Sequence, residues 1–304
     1  MYDDARGDFS SKKRHELAKG SAHYPVSLER HSGEWEKLYV VGDASCLGRG
    51  IAIIGARKAT PYGLKAATLV ATWASEMGFT TFSGCARGCD QAAHRASLAA
   101  GGKTVAVLGC GADVVYPSNA GKLMREIAES GAVVSEYGWG TPPMKYRFVE
   151  RNRLLAALVD LVVVVEARIP SGTFSTINAA AELGTPVAAV PGSIFCHTCA
   201  GPNRLIAEGA TIIANRDDFL VACSLADLPN PDNRKSQERI GAEGKLVEAL
   251  RAEALTPEEV AHVCGIPVQR AVIAIHELEN RGVAARFAGG RFAILTTDSI
   301  EGRR

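Results

Sequence analysis

The stretch Phe-Thr-Thr-Phe-Ser-Gly-Cys-Ala-Arg-Gly-Cys-Asp-Gln-Ala-Ala-His, residues 79–94, decides the fold. Its first part, Phe79–Phe82, is short, apolar and β-prone, which predicts a buried strand. From Asp90 to Ala100 the residues become alanine-rich, which predicts a helix. The glycine-containing turn between them combines the free N–H groups of a helix N-terminus with the cation of Arg87. Such a turn is typical of a phosphate site, although an ordinary strand-to-helix turn has the same pattern.

The same alternation of strand and helix extends along the chain. Further strands are predicted at Ile51–Ile54, Thr104–Leu108, Ala132–Ser135, Leu161–Val165, Val187–Val190 and Thr211–Ile213. Further helices are predicted at Pro61–Met77, Asn119–Ser130, Val149–Leu158, Thr173–Leu183 and Asn203–Glu208. This order predicts an α/β fold with a doubly wound, mostly parallel sheet covered on both faces. Ligands of such sheets bind beyond the carboxyl ends of the strands, so the loops there form the candidate site.

The chain is predicted to contain two domains between terminal tails. Residues 1–22 are polar and without periodicity, which indicates a mobile tail, and residues 23–222 form the α/β domain. The polar run from Asn215 to Arg239 indicates a linker, which is assigned to residues 223–238. Residues 239–297 contain three predicted helices, one opened by a capping box at Thr256–Glu259, and then a hairpin. That order predicts a small C-terminal winged-helix domain, followed by a tail at residues 298–304.

Composition narrows the classes of function. The 304 residues carry a net charge of +1, so a nucleic-acid site must be a local patch and not a global basic field. No apolar run reaches the roughly 18 residues of a membrane span, and no signal peptide is visible. The eight cysteines are scattered, which fits reduced thiols in a cytoplasmic protein better than a disulfide framework.

Three loops at the predicted sheet edge carry features of phosphate binding. Ser171, Gly172 and Thr173 precede or begin a predicted helix and offer N–H groups and hydroxyls to an anion. Arg57 follows another strand, and the turn with Ser83, Gly84 and Arg87 follows a third. Three such loops together favour a phosphate-binding edge over purely structural turns, although one loop alone would be weak evidence.

The segment 145–153 has a different character, because basic residues alternate with aromatic ones. Its candidate nucleic-acid-binding residues are Lys145, Arg147, Phe148, Arg151, Asn152 and Arg153. Basic groups follow a phosphate backbone, and an aromatic face stacks on a base without reading its identity. The alternative is a solvated helix start with one buried phenylalanine.

Motifs of other chemistries are missing or incomplete. Gly109-Cys-Gly111 begins like a dinucleotide fingerprint, but Val114 stands at the third glycine position, and no Walker A sequence occurs. Cys196-His-Thr-Cys199 has the spacing of a zinc pair, yet no second pair accompanies it, so no metal site is predicted. His94 is interpreted as a packed histidine, and no catalytic dyad is found.

A series of spaced motifs resembles the DprA/Smf family (DNA-processing protein A). The motifs are Gly55-Ala-Arg57 with Thr-Pro-Tyr-Gly63, Ser83-Gly-Cys-Ala-Arg-Gly-Cys-Asp90, Leu108-Gly-Cys-Gly111 with Val115-Tyr-Pro117, Ser135-Glu-Tyr137, Phe148-Val-Glu-Arg-Asn-Arg153, Ser171-Gly-Thr173, and Val190-Pro-Gly-Ser193 with Asn203-Arg-Leu-Ile206. They span about Tyr24 to Ile213, and their agreement in order makes the resemblance specific.

The resemblance implies an extended Rossmann-like domain that forms homodimers, binds single-stranded DNA and loads the RecA recombinase onto it in natural transformation. Carried over by motif, the DNA contacts fall on Arg57, Ser83, Gly84, Lys145, Phe148, Arg151 and Asn152. Two departures stand out. Residues 1–22 are too short for the N-terminal helical domain of many members, and the loop from Cys196 to Pro202 has cysteines where polar residues are expected.

Three functions remain to be compared. The first is a recombination mediator that binds single-stranded DNA, is not an enzyme and needs no cofactor. The second is a phosphoribohydrolase of the same superfamily, but residues 170–176 only echo its loop, and no glutamate stands three residues beyond Thr173. The third is a transcription regulator led by the winged helix, which the even balance of acidic and basic residues in that module disfavours.

Overall fold

The structure, a computed structural model, describes residues 12–29, 34–228, 246–280 and 283–294. The chain divides into two units, Met1–Asn230 and Pro231–Arg304. No helix among the described residues is both long enough and apolar enough to cross a membrane.

Strands and helices alternate through most of the first unit. Its strands are β1 (Arg14–Ala18), β2 (Lys37–Gly42), β3 (Gly50–Gly55), β4 (Thr80–Ser83), β5 (Thr104–Val107), β6 (Ala132–Ser135), β7 (Leu161–Glu166), β8 (Val187–Ala189) and β9 (Thr211–Ile212). Its helices are α1 (Val26–Glu29), α2 (Pro61–Glu76), α3 (Cys89–Ala99), α4 (Gly121–Ser130), α5 (Lys145–Leu158), α6 (Thr173–Leu183), α7 (Ala200–Ala207) and α8 (Arg216–Leu225).

These strands form a single mixed sheet. In the described part of the chain its order is β1-β2-β6-β5-β4-β3-β7-β8-β9, with β1 and β2 antiparallel at one edge and the others mutually parallel. The chain moves outward from β3 to β6 and then returns, so that β7 pairs with β3 through Ile51↔Leu161 and Ile54↔Val164. The predicted α/β fold with a mostly parallel, Rossmann-like sheet is confirmed. The reversal of strand order places a crevice beyond the carboxyl ends of β3 and β7.

Local sequence explains why the elements form. The Thr60 hydroxyl caps α2 by accepting a hydrogen bond from the Gly63 N–H, and Pro61 occupies the first turn, where its missing N–H is harmless. Ile51 and Ile53 point to one side of the sheet, while Ala52 and Ile54 point to the other, and each set is buried in its own apolar cluster. A strand covered on both faces is a continuous apolar run, which is why β3 could be recognised in the sequence.

Two boundaries of the predicted α/β domain are wrong. Residues 14–18 of the supposed tail form β1, whose Leu17 pairs with Leu38 and is 5% exposed. Residues 216–225 of the supposed polar run form α8, which Asn215 caps and in which Phe219 is fully buried. In both cases tertiary packing of a few apolar side chains outweighs a polar composition. The predictions for residues 1–11, 229–238 and 298–304 concern segments outside the described residues.

The second unit contains a helix at residues 246–252 (α9), then α10 (Pro257–Cys264), α11 (Val268–Asn280) and an antiparallel pair, β10 (Ala284–Arg286) and β11 (Phe292–Ile294). The predicted capping box is present, because Thr256 and Glu259 each bond to the other's backbone N–H. Leu250, Val260 and Ile275 lie in its apolar core. This order of elements agrees with the predicted one, and the identification as a winged helix stays a prediction.

Candidate nucleic-acid interface

Two cavities of about 470 and 300 Å³ open at the carboxyl edge of the parallel strands. The first lies between the loops that follow β3 and β7, and the second extends over the loops that follow β4 and β5. Both are lined by Arg57, Lys58, Gly84, Ala86 and Arg151. The two cavities are therefore neighbouring parts of one depression, which we call the edge groove.

Close backbone packing shapes the turn after β4. The Ser83 hydroxyl is fully buried and donates to the Ile53 carbonyl at 2.7 Å, so this side chain holds β4 to β3. Gly88 has φ +84°, and a Cβ there would lie 2.2 Å from the Ala56 carbonyl oxygen. A Cβ on Gly84 would lie 2.7 Å from the Arg151 guanidinium. The glycines of this turn are thus required by the close approach of neighbouring groups.

Arg151 supports the groove from beneath. It is 4% exposed, and its guanidinium donates to the Gly84 carbonyl at 2.8 Å and to the Val107 carbonyl. Burial lowers its pKa, and the nearby carboxylate of Asp90 acts in the opposite direction. Burial raises the pKa of Asp90 to about 6, opposed by Arg151 and by the Ala86 N–H. Arg151 therefore joins the loops after β4 and β5, where the sequence alone suggested a DNA contact.

The exposed cations of the groove come from the loops after β3, β4 and β7, and Arg168 is the one after β7. Arg57 and Lys58 follow β3, and Arg87 lies in the turn before α3. Among the described residues none of the Arg57, Lys58 and Arg87 side chains forms an ion pair. They can therefore bind external phosphate groups without first breaking an internal pair. Lys58 was missed in the sequence, although it directly follows Arg57 in the same loop.

An aromatic pair lies on one side of the groove. The rings of Phe148 and Tyr116 have centroids 4.9 Å apart and planes at 31°, and both residues line the second cavity. The Phe148 ring also packs on Gly109, where a Cβ would lie 2.8 Å from its Cδ1. Phe148 is half-buried and Tyr116 is 40% exposed, so the pair presents a ring surface to the groove. Tyr116 was not predicted, because the fold alone brings it to Phe148.

The predicted phosphate loop lines the first cavity. Ser171, Gly172 and Thr173 all face it, and α6 begins at Thr173. The Ser171 Oγ is buried and has no hydrogen-bond partner among the described residues. The Asn152 amide, which also lines this cavity, donates to the Ser175 hydroxyl at 2.6 Å. Polar groups thus converge on this cavity from α5 and from the start of α6, where the Phe174 and Ser175 N–H groups already donate to the Ser171 and Gly172 carbonyls.

Besides the buried Ser83, three predicted residues lie beside the groove instead of lining it. Arg153 forms ion pairs with Glu34 and Glu182 at 2.8 and 2.7 Å and lines neither cavity. Lys145 is exposed at the first turn of α5, which begins at Lys145 and not at the predicted Val149. Arg147 donates to the Pro142 carbonyl at 2.5 Å, and its guanidinium lies 5.1 Å from the Tyr137 ring centre.

One histidine and three cysteines near the groove are buried. His94 is fully buried, its Nδ1 lies 2.7 Å from the Thr104 hydroxyl, and burial lowers its pKa to about 3. This agrees with a packed histidine. Burial raises the pKa of Cys85, Cys89 and Cys110 to about 12, so these thiols are protonated near neutral pH.

The fold and the groove define a Rossmann-like α/β protein whose strand-order switch point carries a basic and aromatic depression. The chain belongs to the DNA recombination-mediator protein A family. The sequence model of that family matches residues 15–224. It is 37% identical over 253 residues to the putative DNA processing protein DprA of Mycobacterium tuberculosis. The aligned region covers 81% of this chain and 64% of that relative. It is 33% identical over 285 residues to protein Smf of Escherichia coli, covering 91% of this chain and 76% of Smf. The predicted resemblance is confirmed.

Solved structures of the family share the fold. DNA processing protein A of Streptococcus pneumoniae is 36% identical with a TM-score of 0.65, over 69% of this chain and 74% of that one. DNA processing protein A of Helicobacter pylori, whose structure concerns its single-stranded DNA binding mode, is 31% identical with a TM-score of 0.63. That match covers 71% of this chain and 96% of the Helicobacter protein.

Proposed function

We propose that this protein binds single-stranded DNA along the edge groove and acts as a recombination mediator. The observation that carries the proposal is the joint presence of exposed, unpaired cations and an aromatic pair in one continuous depression. Arg57, Lys58 and Arg87 supply charge for a phosphate backbone, and Phe148 with Tyr116 supplies a stacking surface. The relative from Helicobacter pylori, which binds single-stranded DNA, has the same fold and supports the assignment.

The groove suits a single strand better than a duplex. A base can reach the Phe148 and Tyr116 rings only when it is unstacked, and stacking is tolerant of base identity. The phosphate on one side of that base then meets Arg57 and Lys58, while the Ser171 hydroxyl, which has no partner among the described residues, donates to the next phosphate. Binding is therefore expected to depend on strandedness and salt and little on sequence.

A direct experiment compares oligo-dT with a duplex of the same length at several salt concentrations. We expect oligo-dT to bind more tightly, with log affinity falling linearly with log salt because cations are released from the phosphates. Equal affinity for the two DNAs would overturn the assignment. An assay for base released from nucleoside monophosphates tests the phosphoribohydrolase alternative, in which Thr176 stands where that enzyme's loop has glutamate.

The mediator role requires two further partners. We propose that the protein forms a homodimer through the α/β domain and loads RecA onto the bound strand. Ile212 of β9 and Val221 and Leu225 of α8 support the dimer, since they are 42%, 54% and 66% exposed at one edge of the sheet. Light scattering of the wild type and of Leu225→Arg tests the dimer. RecA-filament formation on strands coated with a single-strand-binding protein tests the loading.

The second unit is proposed to be a winged helix that adds little to single-strand affinity. Arg291 of this unit forms an ion pair with Glu259 at 3.0 Å, so its guanidinium is less available to DNA phosphates. A chain truncated after Asn230 is expected to bind oligo-dT within a few-fold of the wild type, because the groove lies in the first unit. Loss of binding by a folded truncated chain would show that the second unit holds part of the site.

A further inference from the structure

A second cluster of polar groups lies behind the first cavity, outside the proposed DNA site. It contains the carboxylate of Glu166 at the end of β7 and the thiols of Cys196 and Cys199 before α7. One ligand atom from each of the three residues lies within 4.8 Å of the other two. In the sequence Glu166 is far from the cysteine pair, so only the fold reveals the third member.

The two sulfur atoms are placed by their surroundings. Cys199 is 3% exposed, and its sulfur packs against Gly192, where a Cβ would lie only 2.2 Å from the Sγ. The Cys196 Sγ is 3.1 Å from the Thr198 Oγ1, and because the Thr198 hydroxyl donates to Glu166, the Cys196 thiol is the donor in this contact. Both sulfur atoms therefore lie beside the Glu166 carboxylate.

Glu166 is fully buried, yet its charge is not balanced by a cation among the described residues. Its carboxylate accepts hydrogen bonds from the Thr60 N–H at 2.9 Å and from the Thr60 and Thr198 hydroxyls at 2.6 Å each. No Lys or Arg among the described residues forms an ion pair with it. A buried carboxylate without a counter-charge is costly, and a bound metal ion removes that cost.

We propose that Glu166, Cys196 and Cys199 bind a divalent zinc-type cation. Two thiolates with one carboxylate are a tetrahedral donor set with a fourth position for water, and two cysteines separated by two residues have the usual zinc spacing. Zinc holds sulfur at about 2.3 Å and oxygen at about 2.1 Å, so the ligand atoms of a filled site lie roughly 3.5–3.8 Å apart. The three ligand atoms of the cluster all lie within 4.8 Å of one another, so a small rearrangement is enough to fill the site. Each thiol releases its proton to solvent on binding.

The metal would brace one wall of the groove. Thr198, which lies between the two cysteines, lines the first cavity, and its carbonyl accepts the Ala167 N–H at 2.7 Å. Ala167 in turn accepts the Gly201 N–H at 2.8 Å, so this loop is already fastened to the end of β7. A cation joining Glu166 to the cysteines strengthens the same connection without touching the exposed cations of the groove.

The test titrates the reduced, chelator-treated full chain with Zn²⁺ against a chromophoric chelator. We expect one zinc per chain, and Co²⁺ should give thiolate-to-metal charge-transfer absorption. Cys196→Ser and Cys199→Ser should weaken zinc binding by more than the about 10–100-fold that loss of a supporting group causes. Glu166→Gln should weaken it less, while Cys264→Ser, in the second unit, should bind as the wild type does.

Several outcomes would overturn the site. The first is a wild type that binds zinc no more tightly than the cysteine variants do. The second is a cobalt complex without thiolate absorption, and the third is unchanged zinc affinity in a folded Glu166→Gln variant. Circular dichroism establishes folding of each variant. If Glu166→Gln does not fold, the cobalt spectrum of the wild type and the two cysteine variants still decides whether the thiols bind metal. A reduced protein that forms a Cys196–Cys199 disulfide in air but takes up no zinc would make the pair a redox pair instead.

Discussion

The first half of α5, taken as residues 145–150, and the second half, residues 151–158, carry two basic residues each but differ in environment. In the first half Lys145 is exposed and Tyr146 is 52% exposed, and Phe148 reaches the groove. In the second half Arg151 is 4% exposed, and the helix from Leu154 to Leu158 is buried in the core. Regular spacing of basic residues therefore predicts a nucleic-acid-binding segment but not the role of each residue. Burial separates the arginine that holds the protein together from the exposed groups that the proposal assigns to DNA.

The sharpest test of this difference is Arg151→Met. The substitution leaves Asp90 buried without its neighbouring cation and leaves the Gly84 and Val107 carbonyls without a donor. We expect the free energy of unfolding to fall by about 3–5 kcal/mol, the usual result of breaking a buried charge pair. Urea unfolding measures it.

The matched control is Arg153→Met on the same helix. Arg153 is held by surface pairs to Glu34 and Glu182, and such pairs contribute about 0–1 kcal/mol. If Arg151→Met unfolded like the wild type and only lost DNA affinity, Arg151 would be a direct DNA contact and the two halves of α5 would not differ.

Much of the fold follows from the sequence. The parallel strands are short apolar runs followed by glycine-containing turns, and helix Thr173–Leu183 lies where its pattern predicts it. Most candidate residues were found because ligands of parallel sheets bind in the loops after the strands. The sequence could not distinguish Arg151 from Arg153, since both follow the same charge pattern.

The remaining features depend on contacts between distant segments. Tyr116 reaches Phe148, and Glu166 reaches Cys199, only after the sheet has formed. β1 is a strand because it pairs with β2, although most of its own residues are polar. Such features are decided by tertiary packing and have no local signal.

The next largest effect is expected for Phe148→Ala. Removing the ring removes a stacking surface but no charge, so single-strand affinity should fall by about 1–3 kcal/mol with an unchanged salt slope. Fluorescence anisotropy with labelled oligo-dT at four salt concentrations measures both quantities. Phe195→Ala is the control, because Phe195 is 90% exposed and lines neither cavity. A change in melting temperature large enough to explain the affinity loss would place Phe148 in the core.

Single removal of a free cation should have a smaller, salt-dependent effect. Arg57→Ala and Lys145→Ala each remove a proposed phosphate partner, so each should lower the salt slope by about 0.7 for single strands. Arg153→Ala should leave the slope unchanged, because its guanidinium is already paired with carboxylates. Unchanged slopes in both Arg57→Ala and Lys145→Ala would remove these residues from the path of the strand.

The smallest expected effect is a dependence on pH through Asp90. Burial raises the pKa of this carboxyl to about 6, and Asp90 lines the first cavity. Below about pH 6 it gains a proton, the cavity loses a negative charge, and oligo-dT affinity should rise by a few-fold between pH 7.5 and 5.5.

The free energy of unfolding should also rise as the pH falls. An acid whose pKa is raised by folding stabilises the native state below its unfolded pKa, and this contribution is lost as the pH rises through about 6. Asp90→Asn keeps an oxygen to accept the Ala86 N–H and cannot ionise, so both pH dependences should flatten. Burial raises the pKa of Glu136 to about 7, so this group changes charge in a neighbouring pH range, but it lines neither cavity. The difference between wild type and Asp90→Asn therefore isolates Asp90, and an equal pH response in both proteins would assign the effect to another group.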